Sequence, residues 1–384
     1  MRLLHTSDWH LGRSLHRADL RDAQAAFLDS LVDVVRSERV DTVLVSGDVY
    51  DRAVPPLDAV ALAETALERL RDAGARVVVI SGNHDSATRL GFSSRLLDAS
   101  GVHLRTRVAG CAEPLVLEDA HGPVAVYAVP YLEPDLVRDE LPGDTAGLGR
   151  GQGAVLGHAL QQCAADLAVR GGRSVVLAHA WVMGGEASLS ERDTTVGGVG
   201  HVPASLFAPF DYGALGHLHG PQVLAEGLRY SGSPLAYSFS EARHTKGSWL
   251  VELGASGLAR VEAVPAPVPR RLSVLRGPLP ELLTSRAHDA VEDDWLSVVL
   301  TDPVRPDDAM ARLSVRFPHV LVLAHEPEGA GRDDRTYGAR VAGRSDLEVA
   351  TGFVEHVRGG APDDAETGLL AAALEAGRLA GVSA

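Results

Sequence analysis

Lysine is almost missing from this 384-residue chain: Lys246 is the only one among 36 basic residues. A phosphate-binding P-loop needs Gly-Lys followed by Ser or Thr. Lys246 sits in Thr-Lys-Gly, so no ATP site of that type is encoded. Cysteine is nearly as scarce. The pair Cys111 and Cys163 makes no disulfide framework and suits a reducing compartment. No apolar run approaches the ~20 residues of a membrane span. The start Met-Arg-Leu-Leu-His-Thr-Ser-Asp meets charge too early for a secretory signal. The expectation is a soluble, cytoplasmic protein without a membrane partner. Positive charge is short as well, since 51 acidic against 36 basic residues give a formal net charge of −15. Such a chain does not coat nucleic acid by itself, because phosphate binding leans on clustered positive charge. A nuclease stays open, because bound divalent cations invert the sign at a carboxylate-lined site.

The length allows two domains, or one large domain with an appendage. A chain of this size buries roughly three quarters of its unfolded surface and needs no staples. The organising stretch is Ser81-Gly82-Asn83-His84-Asp85, which follows the apolar, β-branched run Val77-Val78-Val79-Ile80. That run reads as a buried strand. Ligands of open α/β sheets bind beyond the carboxyl ends of the strands. Gly-Asn alone is also a common turn. Two earlier strands end in the same manner. Residues 2–6 lead into Ser7-Asp8-Trp9-His10, and residues 41–46 lead into Gly47-Asp48-Val49-Tyr50-Asp51. Period 2 is expected to put Asp8 and His10 on one side. Helices are expected at 20–35, 57–72 and 87–99, from apolar spacing and from Gly and Pro stops.

Further strands are expected at 102–104 and 124–129. A Gly-rich connection at 143–153 then leads to a helix at 154–170. The strand at 174–177 ends in Ala178-His179-Ala180, and a long polar loop spans 184–200. Unstructured loops of that length are often functional. The strand at 212–215 runs into Gly216-His217-Leu218-His219-Gly220, where His217 and His219 are expected to share a side. His103, His158, His319 and His325 read as satisfied core histidines, while His5 and His201 stay ambiguous.

Asp8, His10, Asp48, Asn83, His179, His217 and His219 are therefore the candidate metal ligands. Imidazoles mixed with carboxylates and an amide suit a pair of borderline cations such as manganese, iron or zinc, and not an all-oxygen calcium cage. Seven ligands for two ions require one to be shared, and Asp48 is the choice if its strand lies between the other two. Two ions ~3.5–4 Å apart clamp the attacking and leaving oxygens at phosphorus. His84 is then placed as the catalytic residue that donates a proton to the leaving oxygen or stabilises charge on it, with Asp85 as a candidate to orient it.

This pattern resembles the calcineurin-like metallophosphoesterase superfamily, with its Asp-x-His, Gly-Asp, Gly-Asn-His-Asp, lone His and Gly-His-x-His elements in order. Within it, several stretches are similar to the SbcD family of bacterial nuclease subunits. They are His5 to Gly12, Ser46 to Arg52, Ser190-Glu-Arg-Asp, Ala214 to Gln222 and Tyr230 to Glu241. The likeness is strong over about residues 1–270. The resemblance implies a layered α/β metallophosphoesterase β-sandwich flanked by helices, with a small C-terminal α/β capping domain. It implies two Mn2+ ions, with Fe2+, Zn2+ or Mg2+ as other divalent candidates. One ion would take Asp8, His10, Asp48 and His219, and the other Asp48, Asn83, His179 and His217. It also implies action on DNA ends and hairpins in repair, replication and recombination, as exonuclease and endonuclease. The partners implied are DNA, an SbcC-type SMC-like ATPase and a second copy through helices 57–72 and 87–99, in the nucleoid-associated cytoplasm. Asp51 stands where archaeal and eukaryotic relatives carry His, which leaves its role open.

After strands at 247–253 and 258–264, the run Pro265-Ala-Pro-Val-Pro-Arg270 reads as a linker. The order strand 272–275, helix 279–287, strand 295–300, helix 307–316, strand 320–324 implies a small α/β unit. It either closes over a DNA path or serves as a plain dimerisation or stability module. Helices at 346–357 and 364–379 follow, the second opened by Asp363 and Glu366 in capping-box spacing. The expected division is a nuclease domain at 1–268, a cap at 269–344 and a partner-binding helical segment at 345–384. Two other readings compete: a small-molecule or cyclic nucleotide phosphodiesterase, and a scaffold that has lost catalysis.

Overall fold

The computed structural model describes residues 1–191, 202–328, 343–358 and 360–381. His201, most of the 184–200 loop, and Arg192 and Asp193 of the Ser190 motif lie outside the described residues. Two compact units emerge, Met1–Pro269 and Arg270–Ala384, with the boundary in the proline-rich run.

In chain order the first unit holds β1 (Arg2–Thr6), a small β2–β3 hairpin (Ser14–Leu15, Ala18–Asp19), α1 (Arg21–Glu38) and β4 (Thr42–Ser46). Next come α2 (Leu57–Asp72), β5 (Arg76–Ile80), the short α3 (Ala87–Leu90) and α4 (Ser94–Asp98), and β6 (Val102–Arg105). β7 (Leu115–Asp119), β8 (Gly122–Ala128), α5 (Pro134–Val137), α6 (Gln152–Arg170) and β9 (Arg173–His179) follow. The unit closes with β10 (Tyr212–Gly216), β11 (Gln222–Ala225), β12 (Leu228–Tyr230), β13 (Gly247–Gly254) and β14 (Gly257–Pro265).

These strands form two six-stranded sheets, ordered β14-β13-β1-β4-β5-β6 and β11-β12-β10-β9-β8-β7. β1, β4, β5 and β6 run parallel, as do β8, β9, β10 and β12. Parallel strands covered on both faces need apolar residues at every position, which is why Thr-Val-Leu-Val-Ser and Arg-Val-Val-Val-Ile barely alternate. Leu3, Leu44 and Val78 point between the sheets to meet Val126, Leu177 and Ala214. Leu4, Val43, Val45 and Val79 point outward against Phe27, Leu31 and Val35 of α1 and Ala63, Ala66 and Leu70 of α2. On the far face Tyr127, Val176 and Leu215 pack on Val155, Leu160 and Cys163 of α6. The order is helix, sheet, sheet, helix, the layered sandwich expected. Each fully buried aliphatic side chain contributes about 1.5–3 kcal/mol.

The structure corrects the sequence reading in places. The single helix expected at 87–99 is two short ones, because Gly91 ends α3 and Ser93 takes φ 60° before α4 begins. β7, β11 and β12 were not anticipated. β7 buries only Leu117 deeply, so no apolar run marks it, and β12 is 3 residues long.

In the second unit, strands β15 (Leu272–Gly277), β16 (Trp295–Leu300) and β17 (Val320–His325) are parallel. α7 (Leu279–Thr284) and α8 (Ala309–Arg316) supply Leu279, Leu282, Leu313 and Phe317 to a core with Leu296, Val298 and Leu300. α7 stops three residues short of the expected helix, with a 3₁₀ turn at Arg286–Val291 after it. α8 starts two residues late because Asp308 sits at φ 51°. Two further helices span Asp346–Arg358 and Asp364–Gly381. The capping box forms reciprocally. Asp363 N–H donates to Glu366 Oε2 at 2.9 Å, and Glu366 N–H donates to Asp363 Oδ1 at 2.8 Å. No helix among the described residues is long and apolar enough to cross a membrane.

Candidate metal centre

Three strands of one sheet and two of the other bring their carboxyl ends together. β4 lies between β1 and β5 in the first sheet, and β9 pairs with β10 in the second. Ser46 Oγ crosses the gap to donate to Ala214 O at 2.9 Å. The approach leaves no room for side chains at two glycines. A Cβ on Gly216 would sit 1.9 Å from Ser46 O, and one on Gly82 would sit 2.1 Å from Asp48 Oδ1. Gly216→Ala is therefore expected to push the sheets apart at the site. Misplacement by about 1 Å costs roughly 10²-fold in rate, and atomic absorption should show less bound metal.

The chain beyond each strand is tightly turned. Asp8, His10, Asp48 and His217 adopt φ of 53°, 45°, 49° and 106°, a region that non-glycine residues seldom enter. Asp8 and His10 thus converge through left-handed turns, not through the strand period expected, because β1 already ends at Thr6. His217 and His219 likewise do not share a side: the first faces Asn83 and the second His10.

On one flank, His10 Nε2 lies 3.0 Å from His219 Nε2 and 3.5 Å from Asp48 Oδ2. Asp8 completes this group, its ligand atom within 4.8 Å of those of His10 and His219. Its carboxylate is fixed by Ser7 Oγ at 2.5 Å and by His217 N–H at 3.1 Å. On the other flank, Asn83 Oδ1 lies 2.9 Å from His179 Nε2 and 3.1 Å from His217 Nδ1. Asp48 Oδ2 is 3.5 Å from His179 Nε2, the same distance as from His10. Asp48 therefore sits between the two groups.

The chemistry of the second flank calls for a cation. His179 Nδ1 is 2.8 Å from the Ser46 carbonyl, which only accepts, so Nδ1 carries the proton. His179 Nε2 then presents a lone pair toward the Asn83 side-chain amide at 2.9 Å, an arrangement that suits a cation. Burial points the same way. Asp8, His10, Asp48, His179, His217 and His219 are each at most 2% exposed. Burial pushes Asp8 up to about 6, although His219, the Ser7 hydroxyl and the His217 N–H work against it. Burial and the neighbouring imidazoles hold His10 and His179 well below the usual histidine range, hence neutral and able to ligate. His10 Nδ1 is buried without a hydrogen-bond partner. Asp8, His10, Asp48, His179 and His219 are positioned to bind metal.

His84, also buried, forms a further group with His10 and Asp48, its ring centroid 4.6 Å from that of His10. Its Nδ1 is 2.8 Å from the Asp51 carbonyl, and its main-chain N–H donates to Asp48 Oδ1 at 2.9 Å. The Asp85 carboxylate is occupied by the N–H groups of Val49, Tyr50 and Gly82 at 3.1, 2.9 and 2.9 Å. Asp85 thus ties the Asn83 loop to the Asp48 loop, and the contact that orients the His84 ring comes from the Asp51 carbonyl. No sequence signal marks a main-chain acceptor. Gln24 was also missed: its Nε2 donates to His10 O at 2.8 Å and steadies the first turn from α1.

The ambiguous His5 is structural. Its nitrogens meet Tyr212 OH at 2.9 Å and Leu215 O at 3.1 Å across the sandwich, and burial pushes it down to about 3. His103 is buried and spends a ring nitrogen on Asp98, as a core histidine would, whereas His158, His319 and His325 are only half-buried, His158 and His325 spending a ring nitrogen on Pro142 O and Asp302 O.

Residues 1–141 match the family model described as calcineurin-like phosphoesterase. Residues 268–358 match the SbcD C-terminal model, described as type 5 capsule protein repressor C-terminal domain. Among solved structures, a dimetal phosphatase from Danio rerio aligns over 70% of this chain and 99% of its own, at 15% identity and TM-score 0.41. TT1561 of Thermus thermophilus aligns over 69% and 98%, at 15% identity and TM-score 0.38. GAP50, the anchor in the inner membrane complex of Plasmodium, aligns over 85% and 98%, at 10% identity and TM-score 0.37.

Proposed function

We infer a two-metal DNA nuclease from a chain whose residues 1–141 belong to the calcineurin-like phosphoesterases and whose residues 268–358 are an SbcD C-terminal domain. The first domain makes it a metal-dependent hydrolase of phosphoester bonds. The observation that carries the finer reading is the pair of ligand groups meeting at Asp48 Oδ2, 3.5 Å from both His10 and His179. In this reading one ion takes Asp8, His10, Asp48 and His219, and the other takes Asp48, Asn83, His179 and His217. Manganese is the proposed metal, since mixed nitrogen and oxygen ligands suit a borderline ion.

Bound there, two divalent cations would supply an activated water and neutralise charge on the phosphoryl oxygens. The protein supplies the rest. Asp48, held through Oδ1 by the His84 N–H, keeps the two groups at fixed separation. His84, anchored through Nδ1–H by the Asp51 carbonyl, would in its doubly protonated imidazolium form hand the Nε2 proton to the leaving oxygen and be left neutral. Asp85 keeps the two loops in register, so that His84 meets the same point each time.

The assembly proposed is a homodimer bound to an SbcC-type ATPase. Val54 and Leu57 at the start of α2 are 66% and 88% exposed, and Phe92 and Leu96 around α4 are 79% each. A second copy would cover these side chains. In the last two helices Phe353, Val357 and Leu369 stand 54%, 64% and 71% exposed, which supports docking on the ATPase coiled coil. Truncation after Arg344 is expected to abolish co-purification with that ATPase while leaving manganese-dependent hydrolysis of bis-p-nitrophenyl phosphate intact. Retained binding would reject the docking site.

The deciding experiment compares hairpin DNA with cyclic AMP as substrate, with and without the co-expressed ATPase, in manganese and in chelator. The expected result is manganese-dependent hairpin cleavage, increased by the partner, with cyclic AMP left intact. Hydrolysis of cyclic AMP alone would replace the nuclease by a small-molecule phosphodiesterase. No turnover of either would make the chain a scaffold.

A further inference from the structure

His219 is held at both its ring and its main chain by one closed circuit of hydrogen bonds. Its Nδ1 lies 2.7 Å from Ser190 Oγ. That hydroxyl donates to Glu241 Oε1 at 2.5 Å. The other carboxylate oxygen of Glu241 pairs with Lys246, the chain's only lysine. Lys246 Nζ closes the circuit by donating to His219 O at 2.7 Å and also meets Ser233 Oγ at 2.9 Å. Glu241 is 0% and Lys246 4% exposed. Sequence reading placed Ser190 and Glu241 in matched stretches and used Lys246 only to exclude a P-loop. The activity proposed above gives none of them a task.

The positions of the protons follow from what each group can donate. A serine hydroxyl carries one proton, and an ionised carboxylate only accepts. Paired with Lys246, Glu241 is the acceptor, so the Ser190 proton points at it. The oxygen then faces His219 Nδ1 with a lone pair, which requires the imidazole proton to be on Nδ1. Nε2 is left with its lone pair, aimed where His10 Nε2 converges at 3.0 Å. Ser188 Oγ, 2.8 Å from Ser190, has its own acceptor in Glu191 Oε2 at 2.6 Å. Glu191 Oε1 in turn takes the His219 N–H at 2.7 Å. A buried ion pair is a poor device for stability alone, since apolar replacements are often neutral or better. Its value lies in what it orients.

We propose that Ser190, Glu241 and Lys246 are positioning residues that lock His219 in the tautomer with Nε2 open, and so set the affinity of one of the two cation subsites. The proposal rests on the reading of His219 as a ligand. Partners behind a ligating histidine typically change metal affinity by 10–100-fold when removed.

Calorimetric titration of the full chain with Mn2+ tests this without turnover. Wild type is expected to take up two ions. Ser190→Ala removes only the hydroxyl and leaves the Glu241–Lys246 pair. It should weaken one ion about 10–100-fold and leave the other unchanged, and Ser190→Thr should restore both. The double change Glu241→Gln with Lys246→Met, which leaves no unpaired charge, should weaken the same ion. Ser190→Ala binding both ions as wild type does would overturn the circuit while leaving the metal centre standing. Equal weakening of both ions would overturn it too, because a tautomer fixed at His219 acts on one subsite. If wild type binds no manganese, the metal reading itself fails and takes this proposal with it.

Discussion

Asp48→Ala protein is expected to bind no manganese at the two subsites and to lose DNA cleavage by roughly 10⁴-fold or more, about 5.5 kcal/mol of transition-state stabilisation. Asp48 combines three roles in one residue. Oδ2 stands 3.5 Å from histidines of both sheets. Oδ1 accepts the His84 N–H at 2.9 Å. The residue itself holds a left-handed turn at φ 49°. Removing the carboxylate leaves two clusters of lone pairs with no shared anion, so neither cation has a full ligand set. Metal analysis after gel filtration decides the matter: two ions per chain in Asp48→Ala would reject the bridging role. Asp48→Asn keeps the hydrogen bond to His84 and should lose activity without unfolding, which separates charge from shape.

His84→Ala should behave differently, keeping both ions while DNA cleavage falls about 10²–10⁴-fold, the usual range for a general acid. The reason is geometric. His84 contacts Asp48 through its main-chain N–H, and alanine keeps that bond. What disappears is the ring, with Nδ1 held at 2.8 Å by the Asp51 carbonyl. A leaving group that needs no proton should escape most of the penalty. Bis-p-nitrophenyl phosphate is therefore expected to be hydrolysed much closer to the wild-type rate than DNA. An unchanged rate on DNA would remove His84 from the mechanism. Loss of an ion would reassign it as a ligand, an option left by its place beside His10 and Asp48.

Asp8, His10, Asp48, Asn83, His179, His217 and His219 were all legible as a set, because each follows a strand that periodicity locates well. Buried parallel strands are apolar at every position, so their ends are sharp, and the polar residues beyond them stand out. How the set divides was not legible from spacing. The strand period put His217 and His219 on one side, whereas left-handed turns send them to different flanks. The layered sheets followed from the family resemblance and the strand order. The break between α3 and α4 did not, since one residue's positive φ at Ser93 decides it.

By itself the sequence determined the composition limits, the absence of a P-loop, the βα order and which polar side chains follow the strand ends, because these depend on residues near in the chain. Only the tertiary structure decided which group stands behind each of these side chains. The Asp51 carbonyl behind His84, the Ser46 carbonyl behind His179 and the Ser190–Glu241–Lys246 circuit behind His219 join segments up to 133 residues apart. Main-chain acceptors leave no trace in residue identity, and a hydrogen bond between distant loops has no period to detect.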